Sequence, residues 1–194
     1  MNTNYSILVV DTETGGFDPS SDSLLSLGAV VWKAGEIRGA LEILIAEPTI
    51  VASNEALAVN NLDIDQLRRV GISPRDAVKQ LEAFVRAHFP GERVTLGGHN
   101  TWFDADFMRR LYKMGGGEFR SRFSHRYIDT ASIVAFLSLC GYLPEDVNNS
   151  DRAFQHFGIE PAPGLRHTAL GDATATAHLL TALTGLLRDF GRES

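Results

Sequence analysis

The stretch "YSILVVDTETGGFD", residues 5–18, constrains the fold more than any other. Its unbroken apolar run reads as a strand covered on both faces of a sheet. The run ends on two acidic side chains one residue apart, Asp11 and Glu13. Strand side chains alternate faces, so both project to one side at the carboxyl end. In open α/β sheets that end is where ligands bind. Neighbouring carboxylates repel and raise each other's pKa unless a cation neutralises them, and hard divalent ions prefer such oxygen ligands. An acidic turn capped by Asp11 would use the same residues, and this fragment alone does not separate the two readings.

The rest of the chain alternates strand and helix signals. "LLSLGAVVWKAGEIRGALEILIAEP" carries two strand-like runs around the turn "KAGE", as antiparallel partners do. "SPRDAVKQLEAFVRAHF" predicts a helix capped by Ser73 with Pro74 at its first position. "RVTLGGHN" reads as a short strand leading into the helical "DADFMRRLYKM", and "YIDTASIVAFLSL" as a strand end that continues as a helix. Asp172 to Phe190 forms a long helix with Leu179, Leu180, Leu183, Leu186 and Leu187 on one face. An antiparallel meander followed by alternating elements predicts a mixed, partly parallel α/β sheet with flanking helices.

At 194 residues the chain predicts one domain, 1–194, with a substantial core. A formal net charge of -6 argues against wholesale coating of nucleic acid, while leaving room for a small negative site that holds cations. The single cysteine, Cys140, lies in the apolar "IVAFLSLCGYL" and reads as a buried, reduced thiol. "MNTNYS" lacks the basic and apolar regions of a signal peptide, and no run approaches a membrane span. The expectation is a cytoplasmic protein with no membrane partner.

Two further acidic segments matter. In "GGHNTWFDADF" Asp104 falls at a strand-to-helix junction, where it either faces the same sheet edge or favours the helix dipole. Asp106 competes with it, and position alone does not choose. In "RHTALGDATATA" His167 precedes the long helix and Asp172 opens it. This spacing is weak on its own. His178, six residues after Asp172, points to another face. Together, carboxylates from three segments with a histidine beside them suit a two-metal phosphoryl displacement, the imidazole taking the proton of the attacking water.

These residues, in this order and over nearly the whole chain, resemble the DEDDh 3′–5′ exonuclease superfamily and, within it, the ribonuclease T type. The motifs are "DTET" (Asp11, Glu13), "HNTWFD" (Asp104) and "HTALGD" (His167, Asp172). The resemblance implies a ribonuclease H-like mixed sheet with flanking helices. It implies metal ligation by Asp11, Glu13, Asp104 and Asp172, with two Mg²⁺ or Mn²⁺ ions, and His167 as general base. It also selects Asp104 over Asp106. The implied reaction releases nucleoside 5′-monophosphates from single-stranded RNA or DNA 3′ ends. By the same likeness Phe17 and Phe103 would stack on terminal bases and Glu55, in "NEALAVNNLD", would contact a base edge. Backbone at Thr14 and Gly15 would approach the terminal nucleotide, although a tight turn needs the same residues. Val59 departs from the pattern, standing where the type has another stacking ring. A homodimer is also implied.

Other features carry two readings each. The basic residues Arg109, Arg110, Lys113, Arg120, Arg122 and Arg126 form either a phosphate-tracking patch or a solvated face followed by a mobile "GGG" loop. Asp129 either caps the helix after it or contacts metal-bound water. Asn100 orients the second-motif loop or simply hydrogen-bonds there. Trp32 and Trp102 read as core or rim packing, Trp102 with a place beside the cleft. Alternative functions are a proofreading exonuclease, marked by preference for mismatched DNA ends, and a non-hydrolytic nucleic-acid-binding module. The presence of every reactive side chain argues against the module.

Overall fold

A computed structural model describes residues 5–91, 93–162 and 164–190. The strands are β1 (Ser6–Thr14), β2 (Leu24–Lys33), β3 (Glu36–Leu44), β4 (Val94–Gly98) and β5 (Phe123–Asp129). The helices are α1 (Asn54–Asn60), α2 (Ile64–Val70), α3 (Pro74–His88), α4 (Thr101–Gly115), α5 (Phe119–Arg122), α6 (Thr130–Leu139), α7 (Ser150–His156) and α8 (Ala169–Phe190). The strands form one sheet in the order β3-β2-β1-β4-β5. The β3-β2-β1 meander is antiparallel, whereas β4 and β5 run parallel to β1. This is the expected mixed α/β sheet.

The apolar half of β1 is covered on both faces. Leu8 and Val10 pack with α3 and α4, through Leu81, Val85, Phe107 and Met108; Ile7 and Val9 pack with Ala173, Ala177 and Leu180 of α8. Ser73 caps α3 by accepting from the Asp76 amide, with Pro74 in the first turn, as its sequence predicts.

Four expectations need correction. Asp172 does not open the last helix, which begins three residues earlier at Ala169 and carries Asp172 in its first turn. Leu187 is exposed rather than part of the buried stripe. Leu180 meets the sheet, while Leu179 and Leu183 pack beside α6 and α7, so the helix serves two cores. Cys140 is exposed. The apolar run around it is helix α6, which buries Val134 and Leu137 but turns Phe136 and Leu139 outward. The "GGG" segment belongs to a helix end: Gly115 closes α4 and Gly116, at φ 76°, caps it. Among the described residues no helix is long and apolar enough to cross a membrane.

Candidate active site

Continuing the alternation of β1, Asp11 and Glu13 share the face of Ile7 and Val9, toward α8, while Thr12 points to the α4 face. Asp11 pairs across the sheet with Gly28 of β2. A Cβ at Gly28 would lie 2.1 Å from the carbonyl oxygen of Ala169, so a bare backbone there admits the first residue of α8. That close approach carries Asp172 to the strand tip. Ligand atoms of Asp11, Glu13 and Asp172 lie within 4.8 Å of one another.

Asp104 arrives from the other face, in the first turn of α4. It is buried and accepts a hydrogen bond from Thr12 Oγ1 at 2.8 Å. Thr12 therefore points away from its acidic neighbours, as expected, yet does more than pack. Asp129 positions α4: its Oδ1 accepts from the Asn100 amide at 2.7 Å and the Thr101 amide at 3.3 Å. Its other oxygen caps α6 through the Ser132 amide. Burial works against ionising Asp129, but these donors outweigh it and hold its carboxyl below the usual range. Asn100 sits in the left-handed region at φ 65° and makes no side-chain cap bond. Asp106 is half-buried and paired with Arg109.

The electrostatics of the cluster are those of repulsion only partly offset by Arg166. Desolvation, then the charges of Asp104, Glu13 and Asp172, push Asp11 well above the usual carboxylate range. Glu13 is raised to about 7 by burial and Asp172, and Asp104 to about 7, chiefly by burial. Asp11 thus feels both groups of acids. Asp172 is 8% exposed, and its Oδ1 is buried with no hydrogen-bond partner among the described residues. A buried carboxylate oxygen without a donor, beside self-repelling acids, fits a divalent cation.

One cation of the chain itself reaches the cluster. Arg166 ion-pairs with Asp172 Oδ2 and with Asp151 of α7, and its guanidinium lies 5.5 Å from the Phe154 ring centroid. Sequence reading passed over Arg166; the signal available was a basic residue directly before His167. His167 sits in the turn before α8 with φ 60° and is half-buried. It is not among the residues whose ligand atoms gather at the strand tip.

Aromatic rings flank the acids. Phe17, 91% exposed in the loop after β1, makes an edge contact with Phe103 at 6.4 Å between centroids. Trp102 meets Phe103 from elsewhere at 6.1 Å. Glu55 is exposed on α1, and Val59, also exposed, offers no ring. Helix α1 is sewn to the strand tip by the Asn60 side-chain amide donating to the Thr14 carbonyl at 3.2 Å and the Ser53 amide donating to the Gly15 carbonyl at 2.8 Å. Gly15 is buried, and a Cβ there would lie 2.0 Å from the Val51 carbonyl oxygen, so its smallness serves the crossing of these loops.

The basic segment is largely spent on structure. Arg110 pairs with Glu47, Arg122 with Glu82, and Arg109 with Asp106 and the Tyr127 hydroxyl. That leaves Lys113, Arg120 and Arg126 to form any phosphate-tracking surface.

A mixed sheet that gathers carboxylates from β1, α4 and α8 at the end of its central strand defines a ribonuclease H-like, divalent-metal-dependent phosphodiesterase. Comparison narrows the class. The RNase_T family model, described as Exonuclease, matches residues 8–180. Ribonuclease T of Wigglesworthia glossinidia brevipalpis is 26% identical over 194 residues, covering 95% of this chain and 86% of the relative. Ribonuclease T of Hahella chejuensis is 28% identical over 197 residues, covering 95% and 85%. Among solved structures, the nuclease domain of 3'hExo, a DEDDh family member bound to rAMP, superposes with a TM-score of 0.74 at 14% identity, covering 97% of this chain and 94% of that one. E. coli exonuclease I in complex with a dT13 oligonucleotide gives a TM-score of 0.76 at 15% identity, covering 97% of this chain but only 43% of the exonuclease I chain. The chain belongs to the RNase_T exonuclease family and is a 3′–5′ exonuclease of the ribonuclease T type.

Proposed function

We propose that this exonuclease removes nucleoside 5′-monophosphates from single-stranded RNA or DNA 3′ ends, using Asp11, Glu13, Asp104 and Asp172 as metal ligands and His167 as general base. The observation that carries the reading is the convergence of Asp11, Glu13 and Asp172 within 4.8 Å, with Asp104 close enough to raise the Asp11 pKa. The oxygen-only donor set suits Mg²⁺ or Mn²⁺. Two such ions, when bound, supply positive charge to the attacking and leaving oxygens of an in-line displacement.

The chain's own groups do the rest. Asp172 offers its unpartnered Oδ1 while Arg166 holds Oδ2. Thr12 fixes the orientation of Asp104. His167, on the turn before α8, takes the proton of the attacking water. Phe17 and Phe103 stack on terminal bases, and Glu55 reads a base edge. Backbone at Thr14 and Gly15 borders the terminal sugar. Support for a single-stranded substrate comes from the exposed rings beside the acids and from the oligonucleotide carried by the exonuclease I relative. Association into a homodimer belongs to the same proposal.

Purified protein given matched 3′-tailed RNA and DNA oligomers with Mg²⁺ should shorten the tails one nucleotide at a time and stall at the duplex. Internal fragments, or equal digestion of blunt duplex, would refute the reading.

A further inference from the structure

Trp102 is 61% exposed at the start of α4, although the buried positions of that helix, Ala105, Phe107, Met108, Leu111 and Tyr112, are filled without it. Its neighbour Phe103 is different: that ring packs on Phe107 at 5.1 Å and is rooted in the core. Phe103 touches Phe17 at 6.4 Å on one contact and Trp102 at 6.1 Å, interplanar angle 87°, on another. The three rings therefore form a ledge with Phe103 as its common member. The ledge begins in the loop after β1, the strand that carries Asp11 and Glu13. An indole left mostly in water contributes little burial beyond its edge contact with Phe103, and its exposed face matches a flat, unpaired ring.

We propose that Trp102 is a substrate-positioning residue, a stacking surface for an unpaired base beyond those held by Phe17 and Phe103. This rests on the single-strand reading above. A duplex keeps its base faces covered, so the indole favours single strands; every base has a π-face, so it does so with little regard to sequence.

The chain contains its own reporter. Of the two tryptophans, Trp32 is 6% exposed and donates to Thr181 Oγ1 at 2.8 Å, leaving Trp102 as the accessible fluorophore. In an Asp11→Asn background, which halts turnover, a short oligothymidylate should quench the exposed emission, and Trp102→Ala should abolish the quench. By anisotropy of a labelled strand, Trp102→Ala should bind about 5- to 100-fold more weakly, and Trp102→Phe should recover most of the affinity. In the active protein Trp102→Ala should raise KM with kcat nearly unchanged. Unaltered single-strand affinity in a folded Trp102→Ala protein would overturn the proposal and leave the single-strand reading standing. If the Trp102-containing protein binds single strand no better than blunt duplex, the single-strand reading fails and takes the proposal with it.

Discussion

Two carboxylate sites, Glu47 and the strand-tip cluster of Asp11, Glu13 and Asp172, are treated in opposite ways. Glu47 is 5% exposed. Its Oε1 accepts from the Leu24 amide and Arg110 Nε, and its Oε2 from Ser23 Oγ and Arg110 Nη2 at 2.8 Å. Arg110 also donates to the carbonyls of Pro19 and Ser20, so the pair anchors the loop that carries Phe17. Asp172 is as buried, yet one of its oxygens has no partner and its neighbours are acids. Every lone pair of Glu47 is spent on holding the fold. The strand-tip acids are arranged against stability, a pattern that functional sites show.

The sharpest way to break this contrast is to remove one charge from each set. Asp11→Asn should lower exonuclease activity by on the order of 10³-fold while the metal-free protein melts higher than the parent, because a repelled, desolvated charge has gone. A fall in both would mean that Asp11 is structural. Glu47→Ala should do the reverse. It leaves the Arg110 guanidinium, 20% exposed, without its partner, and denaturant unfolding should show a loss of about 3–5 kcal/mol. In the folded fraction kcat should stay near the parent value, with any change confined to KM through the Phe17 loop that the pair anchors. Equal stability of the Glu47 variant would show that its bonds are no stronger than those water supplies.

Much of the site was legible because acids are out of place in an apolar strand. Asp11 and Glu13 interrupt a run whose alternation also predicts their common face. Asp104 could not be told from Asp106 by position; burial and the bond from Thr12 distinguish them, and those depend on α4 meeting β1 across the sheet. Arg166 and Glu47 were illegible for a related reason. Each owes its role to partners brought from elsewhere, Asp151 and Asp172 in one case, Ser23 and Arg110 in the other. The basic run from Arg109 to Arg126 was open to two readings for the same reason, since sequence shows charges but not the Glu47 and Glu82 that pair with Arg110 and Arg122. Cys140 failed because local hydrophobicity does not say which side of α6 finds a neighbour.

A gentler probe of the contrast is pH. Glu13 and Asp104 titrate near 7 in the folded chain against about 4.5 and 3.8 otherwise. A raised acid pKa means that the folded state binds protons more tightly, so the contribution of these two groups to stability is full below about pH 4. That contribution is lost as pH rises through 7. Saturating Mg²⁺ should flatten the curve, since bound charge replaces the protons. Urea midpoints measured across this window, with and without Mg²⁺, test it; a metal-free protein that gains stability between pH 4 and 7 would contradict the cluster's electrostatics.

The smallest expected effect concerns the one residue that joins both kinds of behaviour. Arg166 satisfies Asp172 Oδ2, as Arg110 satisfies Glu47, but leaves Oδ1 free. Its own charge is balanced by Asp151, and Ser150 Oγ accepts from its Nη2 at 3.3 Å, so α7 holds the guanidinium in place. Two roles are then distinguishable. As a counter-charge competing with cations, Arg166 would weaken metal binding, and Arg166→Gln would strengthen it. As a brace that aims Asp172, it would aid binding, and Arg166→Gln should weaken Mn²⁺ affinity about 10-fold. The anchorage to Asp151 favours the brace, because it fixes the guanidinium that holds Asp172 Oδ2, although the same charge also lowers the pKa of Asp11 and Glu13. Arg166→Lys should recover only part of the loss, since a point ammonium does not span Asp151 and Asp172 as the planar fork does. Calorimetric Mn²⁺ titration of the parent and both variants decides the matter, and tighter binding by Arg166→Gln would reverse the assignment.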